Sequence, residues 1–312
     1  MSALQIKHLF GLQGVSKQDI RTILDNAKQF REILERPIKK VPSLRGLTVV
    51  NLFFENSTRT RTSFELAEKR LSADTVNFTS SNSSVKKGET LVDTLRNIES
   101  MKIDIVVVRH KGTGVPKFLA EHSNAIIVNA GDGAHEHPTQ ALLDMLTIEE
   151  KLGTLEGKNV TIIGDIRHSR VARSNLWGMS TMGAHVTLCG PSTLVPRNTY
   201  LMSHVTWEPD VKKAVANADA IIALRLQKER MDDALLPSMR EYRNTFGITE
   251  DLLECAKDKV IIMHPGPINR GVELDSDIAD GEHSVILDQV TNGVAVRMAV
   301  LFLLAGGRNE NA

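Results

Sequence analysis

The sequence predicts an α/β protein of two domains, each a mainly parallel sheet flanked by helices. Three observations carry this. Apolar runs of strand length alternate with stretches of helical spacing through most of the chain. The run Ile103–Val108 is apolar enough to be buried on both faces, as strands of parallel sheets are. At 312 residues a single core is strained, and two domains are the better expectation.

The elements follow in order. Ser16 is placed to cap a helix over 16–35, where Ile20, Ile23, Leu24, Ala27, Phe30, Ile33 and Leu34 recur at helical spacing. A buried strand at 47–54 and a helix over 63–71 come next, then a strand at 75–78. A helix over 89–101 leads to the strand at 103–108, and another strand is expected at 125–130 before a helix from 141 to about 151. Gly153 and Gly157 flank a turn, so the chain breaks into two halves near 138–152. The second half has strands at 160–165, 185–188, 205–207, 220–224 and 260–263, and a long helix over 288–305. No repeat of solenoid period occurs.

Composition excludes several function classes. Lys plus Arg (38) equals Asp plus Glu (38), which argues against a general nucleic-acid binder. Any local basic cluster then means a local anionic ligand. Cys189 and Cys255 form neither a disulfide framework nor a metal-spaced pair, and Cys189, at a strand end, is expected to be a buried thiol. Residues 1–8 lack the apolar core of a signal peptide, and the run Met298–Ala305 is short of a membrane span. The expectation is a cytoplasmic protein with no membrane or nucleic-acid partner.

The chemistry concentrates at strand ends. Glu55-Asn56-Ser57-Thr58-Arg59-Thr60-Arg61 lies where a strand gives way to a helix. Helix N-termini carry unpaired N–H groups and favour negative charge. Helix capping explains one hydroxyl there. Ser57, Thr58 and Thr60 alternating with Arg59 and Arg61 exceed that need and suit a phosphate. Arg109 is expected on the same sheet edge, because ligands of open α/β sheets bind at carboxyl ends of strands. His137 and Gln140, near a helix start, face that edge too. His135 and His137 are not read as a metal site, because no Cys is near and zinc signatures need more ligands. The polar loop 79–88 has two readings: a mobile surface loop, or lysines (Lys86, Lys87) reaching over an anionic ligand. Gly164 starts a turn that lacks the later glycines of a dinucleotide fingerprint.

Ser57-Thr58-Arg59-Thr60-Arg61, His137-Pro138-Thr139-Gln140 and Arg225-Leu226-Gln227 together resemble the carbamoyltransferases, along nearly the whole chain and in the right order. The last two motifs resemble the aspartate branch. The ornithine branch typically has Cys in His-Cys-Leu-Pro, where this chain has His264-Pro265-Gly266-Pro267. Gly266 also departs from the Leu common in the aspartate branch, which leaves only a backbone carbonyl contact there.

The resemblance implies carbamoyl transfer from carbamoyl phosphate to the amino group of L-aspartate, an early step of pyrimidine synthesis, without cofactor or metal. It implies that Ser57, Thr58, Arg59 and Thr60 hold the phosphate, and that Thr60, Arg109 and His137 polarise the carbamoyl oxygen. Gln140 and the carbonyls of Pro265 and Gly266 would orient the carbamoyl nitrogen; Arg170, Arg225 and Gln227 would take the aspartate carboxylates. It implies a homotrimer with shared active sites, in which Ser83 and Lys87 come from a neighbouring chain. Lys87 is aligned because it directly precedes Gly88-Glu89-Thr90, with Ser84 the substitute for Ser83. The resemblance leaves three assemblies open: a bare trimer, one with a regulatory chain, or one with a dihydroorotase. The implied domains are 1–138 plus 292–312, binding carbamoyl phosphate, and 139–291, binding aspartate, with the final helix packing back on the first. Glu55 is expected to pair with Arg170 or Arg230 on closure. Two rivals stand beside this reading: a transcarbamoylase for another amine such as ornithine, and a non-catalytic homologue serving in assembly.

Overall fold

The computed structural model describes residues 4–79, 89–196, 202–226, 236 and 238–306. The first unit opens with helix α1 (Lys17–Glu35), whose cap Ser16 accepts from the Asp19 N–H. Its sheet contains β1 (Thr48–Phe53), β2 (Asp74–Thr79), β3 (Ile105–His110) and β4 (Ile126–Asp132), all parallel, in the spatial order β2-β1-β3-β4. Helices α2 (Thr58–Arg70), α3 (Leu91–Glu99) and α4 (Val115–Ala120) lie between successive strands in sequence. The sequence pattern did not reveal α4, because its six residues are too few to show a period. Val50, Leu52, Leu95, Val106, Val108 and Ile127 belong to the core of this unit. The connections turn back between β1 and β3, so a ligand crevice belongs at the carboxyl ends of those two strands.

The connecting helix α5 (Pro138–Leu152) leads into the second unit. There β5 (Asn159–Ile163), helix α6 (Arg170–Thr181), β6 (His185–Cys189) and β7 (Val205–Trp207) are followed by α7 (Val211–Val215) and β8 (Ala220–Ala223). Helices α8 (Met239–Phe246) and α9 (Glu250–Leu253) precede β9 (Ile261–Met263), and α10 (Ser276–Ala279) follows it. The parallel order is β7-β6-β5-β8-β9, and it reverses between β5 and β8. Cys189 is fully buried in this core, and burial pushes its thiol up to about 12.

The last helix, α11 (Ile286–Gly306), returns to the first unit. Phe302 meets Phe30 of α1 edge-on at 5.7 Å between centroids. Arg297, 4% exposed, donates from Nη1 to Ser63 Oγ of α2 at 2.8 Å and lies 5.0 Å over the Phe64 ring. By length and composition α11 is long and apolar enough to cross a membrane, but its most apolar window is 72% buried inside the protein, as for a core helix. The units are Met1–Leu143 with Thr291–Ala312, and Asp144–Val290. The sequence-based bounds fell at 138/139 and 291/292. Both observed divisions lie inside continuous helices, α5 and α11, so no turn residue marks either.

Helix α2 buries a carboxyl. Glu68 is fully buried, and its Oε2 accepts from Asn51 Nδ2 of β1 at 2.9 Å. Loss of water pushes Glu68 up to about 7, because the Thr75 hydroxyl and the Asn51 amide offset only part of the cost of burying a charge.

Candidate active site

In the first unit the phosphate-type run becomes the start of α2. Ser57 sits at the cap position with extended backbone (φ −158°, ψ 90°), and Arg61 N–H closes the first helical bond on its carbonyl at 3.1 Å. Its hydroxyl makes no capping bond, whereas Ser16, Thr90 and Ser169 all cap their helices. The capping explanation therefore does not account for Ser57. Thr58 and Arg59 are exposed, and Thr60 and Arg61 are half-buried. Hydroxyls, a helix N-terminus and two guanidiniums thus stand at the carboxyl end of β1.

Arg109 is the last residue but one of β3, not a solvated strand end, and is 8% exposed. It lies in register with Phe53 on β1. Between Val108 and His110, β4 advances from Asn129 to Asp132, so β4 carries an extra residue. Arg109 Nη1 donates to the carbonyl of Ala130 in that bulge, and Nη2 donates to Glu55 Oε1, both at 3.0 Å. The guanidinium is thereby held by two bonds at the same edge as Ser57–Arg61. Glu55 was expected to pair with Arg170 or Arg230; within the first unit it pairs with Arg109.

The turn after β4 places His137 and Gln140. Asp132 accepts from Asn129 Nδ2 (2.8 Å), Gly114 N–H (2.8 Å) and Glu136 N–H (3.1 Å), and contacts the His135 ring at 3.1 Å. Burial favours the protonated form of Asp132, but the bonds from His135, Gly114 and Asn129 outweigh it and hold the carboxyl below its ordinary value. Glu136 reaches the other way, accepting from Leu12 N–H (2.7 Å) and Gln13 N–H (3.2 Å). His137 (5% exposed) directly precedes α5, and Gln140 (8%) donates its N–H to the His137 carbonyl at 3.0 Å in the first turn. His110, beside Arg109, accepts the Gly112 N–H on Nδ1 at 2.8 Å, and burial lowers its pKa.

The second unit repeats the arrangement. After β5, Asp165 accepts from His168 N–H (3.1 Å) and contacts its ring (3.0 Å), fixing the turn that leads to α6. Ser169 caps α6, and Arg170, its first residue, is 4% exposed. Arg225 follows β8 and is half-buried. Arg170 and Arg225 therefore flank the β5/β8 switch point, as Ser57–Arg61 and Arg109 flank β1/β3. Beyond β9, Pro265 and Gly266 are half-buried, and Gly266 has φ +64°. Ser83, Ser84, Lys87, Gln227 and Arg230 lie outside the described residues.

Asp132, Glu136, His264 and Glu273 escaped the sequence reading as supporting groups. The one available signal was an acidic residue directly beside a singled-out histidine, as with Glu136 and His137.

Two parallel α/β units, each with guanidiniums at the reversal of its sheet, define a class that binds anions in both halves. The chain matches the family profile for the carbamoyl-P binding domain of aspartate/ornithine carbamoyltransferase over residues 7–150. It matches the corresponding Asp/Orn binding domain over residues 156–304. The chain belongs to the aspartate/ornithine carbamoyltransferase family. It is 61% identical over 306 residues to the aspartate carbamoyltransferase catalytic subunit of Gemmatimonas aurantiaca, covering 98% of this chain and 96% of that one. With the same subunit of Cytophaga hutchinsonii it shares 58% identity, covering 99% and 100%. Among solved structures it is similar to aspartate transcarbamoylase from Trypanosoma cruzi in complex with carbamoyl phosphate and aspartate (TM-score 0.86, 30% identity, 95% of each chain). It is also similar to ornithine carbamoyltransferase from Pyrococcus furiosus (TM-score 0.88, 30% identity, 98% and 99%).

Proposed function

We propose that this protein is an aspartate carbamoyltransferase: it transfers the carbamoyl group of carbamoyl phosphate to the amino group of L-aspartate, giving N-carbamoyl-L-aspartate and phosphate. The observation that carries the choice of acceptor is the identity of 55–61% to aspartate carbamoyltransferase catalytic subunits over nearly the full chain.

The residues have definite work in this reaction. The α2 N-terminus with Ser57, Thr58, Arg59 and Thr60 holds the phosphate. Arg109, Thr60 and His137 donate to the carbamoyl oxygen, where negative charge grows as the amine attacks. One such donor is typically worth about 3 kcal/mol of barrier. Gln140 and the carbonyls of Pro265 and Gly266 accept from the carbamoyl nitrogen. Arg170 and Arg225, with Gln227, take the two aspartate carboxylates, a role suited to the planar guanidinium fork. The neutral amine forms the C–N bond, the C–O bond to phosphate breaks, and the departing phosphate accepts the amine proton. Orientation of the two substrates supplies roughly 7–11 kcal/mol more.

The active form is a homotrimer, with Ser83 and Lys87 of a neighbouring chain completing each site. It works in the cytoplasm in pyrimidine synthesis, as a bare trimer or joined by a regulatory chain or a dihydroorotase. Family membership supports the pathway and the trimer. The test supplies carbamoyl phosphate with aspartate, ornithine or related amino acids and follows phosphate release. Release with aspartate alone is expected. Release with ornithine transfers the protein to the other branch, and no release with any acceptor makes it a non-catalytic homologue. Sedimentation at one or two chain masses refutes the trimer, and recovery in a membrane fraction refutes the cytoplasmic assignment.

A further inference from the structure

We propose that His264 is a positioning residue for the carbamoyl nitrogen, acting through the backbone of the turn that follows β9; this rests on the function proposed above. His264 is 2% exposed, and its ring is held on both sides. Gly266 N–H donates to Nδ1 at 2.8 Å. A backbone N–H only donates, so Nδ1 is the bare nitrogen, and the proton of the neutral ring sits on Nε2. Nε2 faces Glu273 Oε1 at 3.3 Å, and the same oxygen accepts the Asn269 N–H at 2.8 Å. Glu273, 1% exposed, thus fixes the tautomer and closes the turn from 264 to 269. The backbone of His264 is pinned as well, since its N–H donates to Gln289 Oε1 at 2.9 Å.

This arrangement has a directional consequence. The Gly266 N–H belongs to the peptide whose carbonyl is that of Pro265. Because the peptide unit is planar, holding the N–H toward the ring turns the Pro265 carbonyl the opposite way. The positive φ of Gly266 (+64°), open to glycine without strain, sets the direction of the next carbonyl. The Pro265 carbonyl is therefore aimed by an imidazole that itself touches no substrate, and the Gly266 carbonyl follows from the backbone angle beside it. Their chemical use is to distinguish an NH2 group from a methyl group.

Acetyl phosphate is the probe, because a methyl replaces the carbamoyl NH2 and everything else is kept. The comparison uses kcat/KM for carbamoyl phosphate and the competitive inhibition constant of acetyl phosphate. In H264Q the side chain still presents an N–H toward Glu273 but offers nothing at the Nδ1 position. We expect kcat/KM for carbamoyl phosphate to fall about tenfold or more, the effect of misaiming one or two hydrogen bonds. Acetyl phosphate inhibition is expected to stay within about twofold, because none of its atoms uses the aimed carbonyls. H264N places an oxygen near the Nδ1 position and is expected to restore most of the loss. E273A removes the group that fixes the ring, should repeat the selective loss, and carries the same test if H264Q does not fold. Equal losses for both ligands make the histidine purely structural and overturn the proposal. So does no loss in H264Q, or an H264N variant no better than H264Q. An unmodified protein that releases no phosphate with aspartate overturns the proposed function instead.

Discussion

Glu68→Gln tests the buried carboxyl of α2. Burial raises Glu68 from 4.5 to about 7 in the folded protein. A folded value above the unfolded one means that the folded state binds the proton more tightly. The associated stability is full below pH 4.5 and is lost as pH rises through about 7. A tenfold change in proton affinity is worth about 1.4 kcal/mol, so a carboxyl raised from 4.5 to about 7 costs the native protein about 3 kcal/mol at pH 8. Gln cannot ionise, has nearly the same shape, and keeps both an acceptor for Asn51 Nδ2 and a donor in place of the carboxylic O–H. Asn51 Oδ1 is a buried acceptor without a hydrogen-bond partner among the described residues, so the added donor meets a need. The assay is urea unfolding of both proteins from pH 4.5 to 8.5. The variant is expected to match the parent at pH 4.5 and to exceed it by about 3 kcal/mol at pH 8. A stability difference that does not change with pH refutes the reasoning.

Three further outcomes are expected. Arg109→Lys keeps a charge but cannot reach Glu55 and the Ala130 carbonyl at once, so kcat should fall about 100-fold; turnover within threefold of the parent counts against Arg109 at the reacting oxygen. Ser57→Ala should cost under about 0.5 kcal/mol of stability yet raise KM for carbamoyl phosphate about tenfold, while Thr90→Ala, which breaks a capping box, costs about 1 kcal/mol; equal stability losses in thermal melts contradict this. Alkylation of the folded protein at pH 8 should mark half-exposed Cys255 and spare Cys189, whose thiol is pushed up to about 12; an adduct on Cys189, located by peptide mapping, overturns that.

Much of the fold was legible because parallel strands buried on both faces write themselves as apolar runs, as Ile105–Val108 does. Helix α4 was not legible, because one and a half turns leave no period. The bounds read from the sequence and the structural divisions differ because the divisions fall within helices, and helical sequence carries no sign of which body it packs on. At the site, charged and hydroxyl residues at strand ends stood out, and strand order then placed Arg109 beside the α2 N-terminus. The supporting groups were hidden for a physical reason. Glu136 holds residues 12 and 13, Arg109 takes a carbonyl exposed by a bulge, and Glu273 fixes His264. Each is a contact between distant positions, set by tertiary geometry and not by local spacing.

The Ser63–Arg297 bond joins residues 234 positions apart, and that separation governs the order in which the molecule can be completed. During synthesis helix α2 emerges early, but its buried guanidinium partner is added only after residues 144–290 have been made. Domains made vectorially generally fold as they emerge. Here the half that is translated first is the half that finishes last. Until then Phe64 lacks the guanidinium that covers its ring, and Phe30 of α1 lacks its edge-on partner Phe302.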